Sequence, residues 1–151
     1  MANFIISYNK TLIDEGKYSN VSADKGGETW KGIARNIHKS WEGWKIIDRY
    51  KSKPDFPKSL EYLDELELLV LEFYQKNFWN IIKGGQILSQ EIADSLFNSA
   101  VNFGPVRAIK LAQNSLFKLS DRENRKQEEI RNLRIKYGEI DIITLNKLNN
   151  V

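Results

Sequence analysis

Residues 14–33 read Asp14-Glu15-Gly16-Lys17-Tyr18-Ser19-Asn20-Val21-Ser22-Ala23-Asp24-Lys25-Gly26-Gly27-Glu28-Thr29-Trp30-Lys31-Gly32-Ile33. Upstream, Phe4, Ile5, Tyr8, Leu12 and Ile13 recur at the three-and-four spacing of one helical face, Asn3 stands where a cap belongs, and Gly16 supplies a left-handed stop. Glu15 therefore falls in the last turn of the first helix. Beyond it the periodicity is lost and Gly26-Gly27 intervenes, so residues 17–29 read as an irregular loop or a short hairpin.

The rest of the chain is punctuated like a helical protein. A second helical stretch is expected near Trp30, and a third after Ser40, where Trp44, Ile47 and Tyr50 share a face ahead of Pro54 and Pro57. Asp64 and Glu67 resemble a capping box opening a helix to about Trp79. Gly84-Gly85 marks a turn, Ser89 a cap, Gly104-Pro105 a break between two helices, and residues 121–137 a charged helix stopped by Gly138. Asp141 caps a short terminal helix. The expected fold class is mainly α.

Composition narrows the chemistry. The 151 residues hold no Cys and one His, with 23 Lys plus Arg against 20 Asp plus Glu, a net charge of +3. Thiolate nucleophiles, disulfides, thiolate zinc sites and multi-histidine metal centres are thereby excluded within one chain, and acid–base work falls to carboxylates. No cofactor or metal is expected. The small excess of positive charge comes without a nucleic-acid-binding motif, so no nucleic-acid partner is expected. Residues 1–10 lack the basic and apolar regions of a secretory signal, and the apolar window 66–74 is broken by Glu67 and Glu72. A soluble chain is expected, with no stable membrane insertion.

Four carboxylates, a hydroxyl, an amide and two aromatics within twenty residues are the inventory of glycoside hydrolysis. One carboxyl stays protonated to donate to the leaving oxygen, and a second group steadies the oxocarbenium ion or activates water. Glu15 suits the acid, since the negative end of a helix dipole and partial burial both raise a carboxyl pKa. Asp24 can return across the loop to face it, and the Thr29 hydroxyl can hold a water. Tyr18, Trp30, Trp41 and Trp44 carry ring faces that suit sugar C–H bonds. Against this, a lone Glu before a Gly is also an ordinary solvated carboxylate, and Trp44 and Trp79 lie on apolar helical faces that suit a core. The residues alone reach an α-rich domain with carboxylate chemistry available.

The run Glu15-Gly16-Lys17-Tyr18-Ser19-Asn20, then Ala23-Asp24-Lys25-Gly26-Gly27-Glu28-Thr29, then Gly32-Ile33 resembles, without insertion, the signature of the family 108 glycoside hydrolases, E-G-G-Y-x-N-x-x-x-D-x-G-G-E-T-x-x-G-I. These are N-acetylmuramidases of the lysozyme-like superfamily. Phe78-Trp79, the stretch Phe97-Asn98-Ser99-Ala100-Val101-Asn102-Phe103-Gly104, and the groups Ala108 to Gln113, Gly138 to Asp141 and Thr144-Leu145 are similar to later parts of the same family. The resemblance implies a single lysozyme-like domain over 1–151, with a catalytic part at 1–96 and a peptidoglycan-binding-like helical part at 97–151.

It further implies cleavage of the β-1,4 bond between N-acetylmuramic acid and N-acetylglucosamine in peptidoglycan strands, at the bacterial wall. Glu15 falls on the catalytic glutamate, with Asp24 and Thr29 beside it, and Tyr18, Asn20, Glu28, Trp30 and Asn102 on substrate-binding positions. A phage or prophage endolysin, or an enzyme whose leader is absent, would fit that place of action. A lytic transglycosylase and a catalytically silent wall-binding or secretion-accessory protein are the alternatives. The sequence departs from the pattern at Lys17 for Gly, Val21-Ser22 for Asp-Pro, Lys25 for Pro, and Lys31 where an aromatic is usual.

Overall fold

The computed structural model describes residues 1–12, 17–21 and 25–151. Among them are seven α-helices and one small sheet: α1 (Phe4–Leu12), β1 (Tyr18–Ser19), β2 (Thr29–Trp30), β3 (Ile33–Ala34), α2 (Gly43–Tyr50), α3 (Asp64–Tyr74), α4 (Gln90–Phe103), α5 (Pro105–Phe117), α6 (Glu123–Leu133) and α7 (Ile142–Leu148). A 3-10 turn at Lys58–Tyr62 leads towards α3, and a π turn at Gln75–Trp79 extends it. The mainly α lysozyme-like class expected from the sequence is the one observed. No helix among the described residues is long and apolar enough to cross a membrane.

Contacts divide the chain into two units, Leu12–Phe73 and Met1–Thr11 with Tyr74–Val151. In the second of these, aromatic rings organise the core. Phe4 packs against Tyr8, Trp79 and Phe97 with centroids 5.7–5.9 Å apart, and Tyr8 meets Tyr74 edge-on. The caps form as local chemistry dictates. Asn3 Oδ1 accepts the Ile5 and Ile6 amides, Ser89 accepts from Ile92 N, and Asp141 Oδ1 accepts from Thr144 N at 2.7 Å. Gly104, at φ 86°, ends α4, and Pro105 starts α5 at the position where its missing N–H costs nothing.

Three expectations are corrected. No helix starts at Trp30: the apolar pair Trp30 and Ile33 mimics a helical spacing, but Lys31 (φ 44°) and Gly32 (φ 79°) make a left-handed turn that folds β2 back on β3. Asp64 is the first helical residue and not the cap before it, and Asp64, Glu65 and Glu67 place negative charge in the first turn of α3 instead. The charged helix stops at Leu133, four residues short of Tyr137, with Arg134 left-handed at φ 56°. That early stop lets Ile135 turn into a small core with Leu119 and Ile130, against which Tyr137 packs.

In unit Leu12–Phe73 the sheet order is β1-β2-β3, all antiparallel, with Tyr18 opposite Trp30, Ser19 opposite Thr29, Thr29 opposite Ala34 and Trp30 opposite Ile33. Residues directly opposite share a face. One face is therefore Tyr18, Trp30 and Ile33, of which Trp30 and Ile33 are buried; the other is Ser19, Thr29 and Ala34, small side chains that leave it low. Trp44, Ile46, Ile47, Leu60, Leu66 and Val70 complete this unit's core.

Candidate active site

Glu15 and Asp24 lie outside the described residues. The remaining candidates on the hairpin are placed. Thr29 is half-buried at the centre of the low face, and its hydroxyl has no hydrogen-bond partner among the described residues. A half-buried hydroxyl kept unpaired is available to a water or a sugar oxygen. Tyr18 is half-buried; its ring stands edge-on to Phe56, centroids 4.8 Å apart, and its hydroxyl donates to Glu28 Oε1 at 2.8 Å. Burial and that hydrogen bond push the Tyr18 phenol above its ordinary pKa. The exposed Asn20 side chain works against that rise without reversing it.

Trp30 is 1% exposed, so its ring belongs to the core, and its buried indole N–H has no partner among the described residues. Trp44 and Trp79 are buried likewise, and Trp44 Nε1 donates to His38 O at 2.8 Å. His38 itself lies edge-on to Phe73. Asn102 is exposed on α4, in the other unit, where its amide donates to Asn98 O at 2.8 Å and Asn98 Oδ1 at 3.2 Å.

Glu28 is 7% exposed, and its carboxylate is surrounded. Oε1 takes the Tyr18 hydroxyl and lies 2.9 Å from Lys51 Nζ, while Oε2 takes Lys51 Nζ at 3.0 Å and faces Arg35 Nε at 2.8 Å. Arg35 in turn forks onto Asp48 at 2.7 and 3.1 Å, its guanidinium 4.5 Å from the Trp44 ring centroid, and Lys51 reaches Asp48 at 3.0 Å. Arg35 holds the Asp48 carboxyl below the usual range, chiefly by that hydrogen bonding. For Lys51, burial pulls the pKa down but the bonds to Glu28 and Asp48 outweigh it, and the value rises.

Two of the three lysines that depart from the motif, Lys17 and Lys31, are neighbours, since Lys31 N donates to Lys17 O at 2.8 Å. Each ammonium has a carboxylate: Lys17 pairs with Glu61 at 2.5 Å, and Lys31 pairs with Glu67 on α3. Neither pairing has a signal in the motif, because the partners are 44 and 36 residues away. The arrangement is a hairpin whose buried face is fixed by charge and whose open face presents the Ser19 and Thr29 hydroxyls, neither with a side-chain partner among the described residues, next in sequence to the carboxylates of residues 14–24. Among the described residues no group of acidic and histidine side chains is placed to hold a metal ion.

Compared with known proteins, residues 8–104 match the sequence model of the family described as Glycosyl hydrolase 108. The solved structure of Brucella abortus SagA is similar with a TM-score of 0.59 at 23% identity, covering 98% of this chain and 69% of that chain. At that identity the likeness is one of fold. No curated protein matches the chain.

Proposed function

The chain belongs to glycosyl hydrolase family 108, and from that premise we propose that it is a muramidase, hydrolysing the β-1,4 bond between N-acetylmuramic acid and N-acetylglucosamine in peptidoglycan. Glu15 is the general acid that protonates the glycosidic oxygen. Thr29, with Asp24, holds the attacking water or steadies the developing positive charge. Tyr18 and Asn20 take sugar polar groups at the β1 edge of the hairpin, and on the other face the small side chains of Ser19 and Ala34 leave room for a ring above Thr29. Asn102 is kept as a further glycan contact from α4.

The observation that carries this is the Thr29 hydroxyl on the open face of the motif hairpin, unpaired among the described residues. It favours hydrolysis over transglycosylation, because a group that positions water serves a reaction consuming water. The work is at the wall. We assign cleavage to residues 1–96 and wall contact to 97–151; since that boundary falls inside α4, both are tested on the whole chain.

The experiment is mass spectrometry of muropeptides released from purified peptidoglycan. Reducing N-acetylmuramic acid ends are expected from the wild type, and none from Glu15→Gln, whose circular dichroism melt stays close to wild type. Exclusive 1,6-anhydro ends would replace hydrolysis by transglycosylation. Binding to insoluble wall without release of ends would replace catalysis altogether, and undiminished release by Glu15→Gln would remove Glu15 from the mechanism.

A further inference from the structure

We infer that Glu28 is a positioning residue: it fixes strand β2, and with it the Thr29 hydroxyl, and does not touch the substrate. This rests on the proposed glycan-cleaving role of the hairpin. A carboxylate offers about four lone-pair directions; hydrogen bonds from Tyr18 and Lys51 take one on each oxygen, and the Arg35 and Lys51 cations stand against the same carboxylate at 2.8 and 2.9 Å. With 7% of its surface open and two cations packed against it, Glu28 is closed to a sugar hydroxyl.

Its partners come from three places in the unit. Tyr18 belongs to β1, Arg35 follows β3, and Lys51 caps the end of α2. The backbone is tied as well, because Arg35 N donates to Glu28 O at 2.8 Å. Asp48 holds the two cations from the other side, so that Glu28, Asp48, Arg35 and Lys51 form a closed group of two negative and two positive charges. In a strand successive side chains point to opposite faces. Anchoring Glu28 on the buried face therefore sets the height and rotation at which Thr29 leaves the open face. Displacing a positioned catalytic group by about 1 Å can cost on the order of a hundredfold in rate.

The test separates kcat from KM on soluble glycan oligomers, measured well below each variant's melting temperature. Glu28→Met with Lys51→Met exchanges the buried ion pair for apolar side chains and leaves Arg35 on Asp48; such exchanges commonly keep a fold intact. Its kcat is expected to fall at least about tenfold with KM within about twofold. Lys51→Met alone, which removes a partly exposed cation and leaves Arg35 on Glu28, gives the same split at about threefold.

If Glu28 acts through Thr29, its loss adds nothing once Thr29 is Val: the combined variant turns over as slowly as Thr29→Val and no slower. Glu42→Gln, which breaks only the exposed pair with Lys45, leaves kcat unchanged. Full kcat in a folded Lys51→Met or in the double Met variant overturns the inference. So does a rise in KM with kcat intact, which would make Glu28 a sugar ligand, or multiplicative losses with Thr29→Val. A wild type that releases no muropeptides fails the proposed function first, and the two failures are thereby told apart.

Discussion

Gln113 on α5 is fully buried and, for an amide in a core, unusually well served. Its Nε2 lies 3.0 Å from each of Lys136 O, Glu139 O and Thr144 Oγ1, and its Oε1 accepts Gly138 N at 2.8 Å. One side chain thereby holds the whole connection between α6 and α7. Gln113→Met keeps the volume and strands those partners. Gly138 N–H then has no substitute among the described residues, while the fully buried Thr144 side chain keeps its bond to Asp141. At about 1–3 kcal/mol for a buried donor left unpaired, the loss is about 1–3 kcal/mol. At about 2–4 °C per kcal/mol for a chain of this length, the melt drops by roughly 2–12 °C.

Gln113→Glu is the sharper perturbation. The isosteric carboxylate keeps the Gly138 bond, donates nothing, and faces three acceptor oxygens as an unpaired buried charge, which costs about 3–5 kcal/mol. Burial raises its folded pKa above the unfolded value, so the variant is at its best below the unfolded pKa and loses stability as pH rises through the folded one. Calorimetric melts at pH 7 and pH 4.5 should show Gln113→Glu below Gln113→Met at the higher pH, with its deficit against wild type shrinking at the lower. Equal melting of Gln113→Glu and wild type at pH 7 would refute the reasoning, as would a Gln113→Met melt within about 2 °C of wild type.

Asp48, Asp94 and Asp141 all have depressed carboxyl pKa values. At Asp48 the cause is the Arg35 bond; at Asp94 and Asp141 burial opposes, but hydrogen bonds from Lys10, Ser7 and Gln90, and from Thr144 and Lys136, prevail. Their stabilisation is therefore present above the unfolded value and lost as pH falls below about 4, so the melting temperature should drop steeply between pH 5 and 3, and less steeply in Asp94→Asn. A flat profile would contradict it. Lys17→Met removes an exposed ion pair and is expected to cost no more than about 1 kcal/mol in a denaturant titration. Because that ammonium already faces Glu61, the pH dependence of glycan release should stay in place; a moved acid limb would show that Lys17 faces the general acid instead.

What could be read in the sequence was what neighbours in sequence decide. The caps at Asn3, Ser89 and Asp141 and the break at Gly104-Pro105 depend on bonds within four residues, and each was legible. The turn at Lys31-Gly32 was not, because pairing with β1 and β3 outweighs a helical spacing only two residues long. The early end of α6 has the same origin: Ile135 is claimed by Leu119, sixteen residues back. At the hairpin the motif set Thr29 with the catalytic groups and Glu28 among the substrate contacts, without showing that they point to opposite faces. Strand alternation separates them, sending one carboxylate inward and one hydroxyl out. The partners that make Glu28 an anchor, Arg35 and Lys51, carry no pattern that sets them apart from other surface cations in a chain with 23.

The lysine departures from the family pattern fit the same logic. Lys17 and Lys31 sit side by side on one edge of the hairpin, joined by a backbone hydrogen bond, and unpaired they would bring two like charges together beside a segment rich in carboxylates. Glu61, on the 3-10 turn, and Glu67, on α3, answer them one for one. Isolated exposed pairs of this kind add little stability. Their effect is on where charge is absent: Lys17 and Lys31 are neutralised by Glu61 and Glu67, and Arg35 and Lys51 by Glu28 and Asp48, while Lys25, exposed, has no ion pair among the described residues. A reaction that must keep one carboxyl protonated and develops positive charge on a sugar is served by the pairing of those four, since an uncommitted ammonium nearby would oppose both.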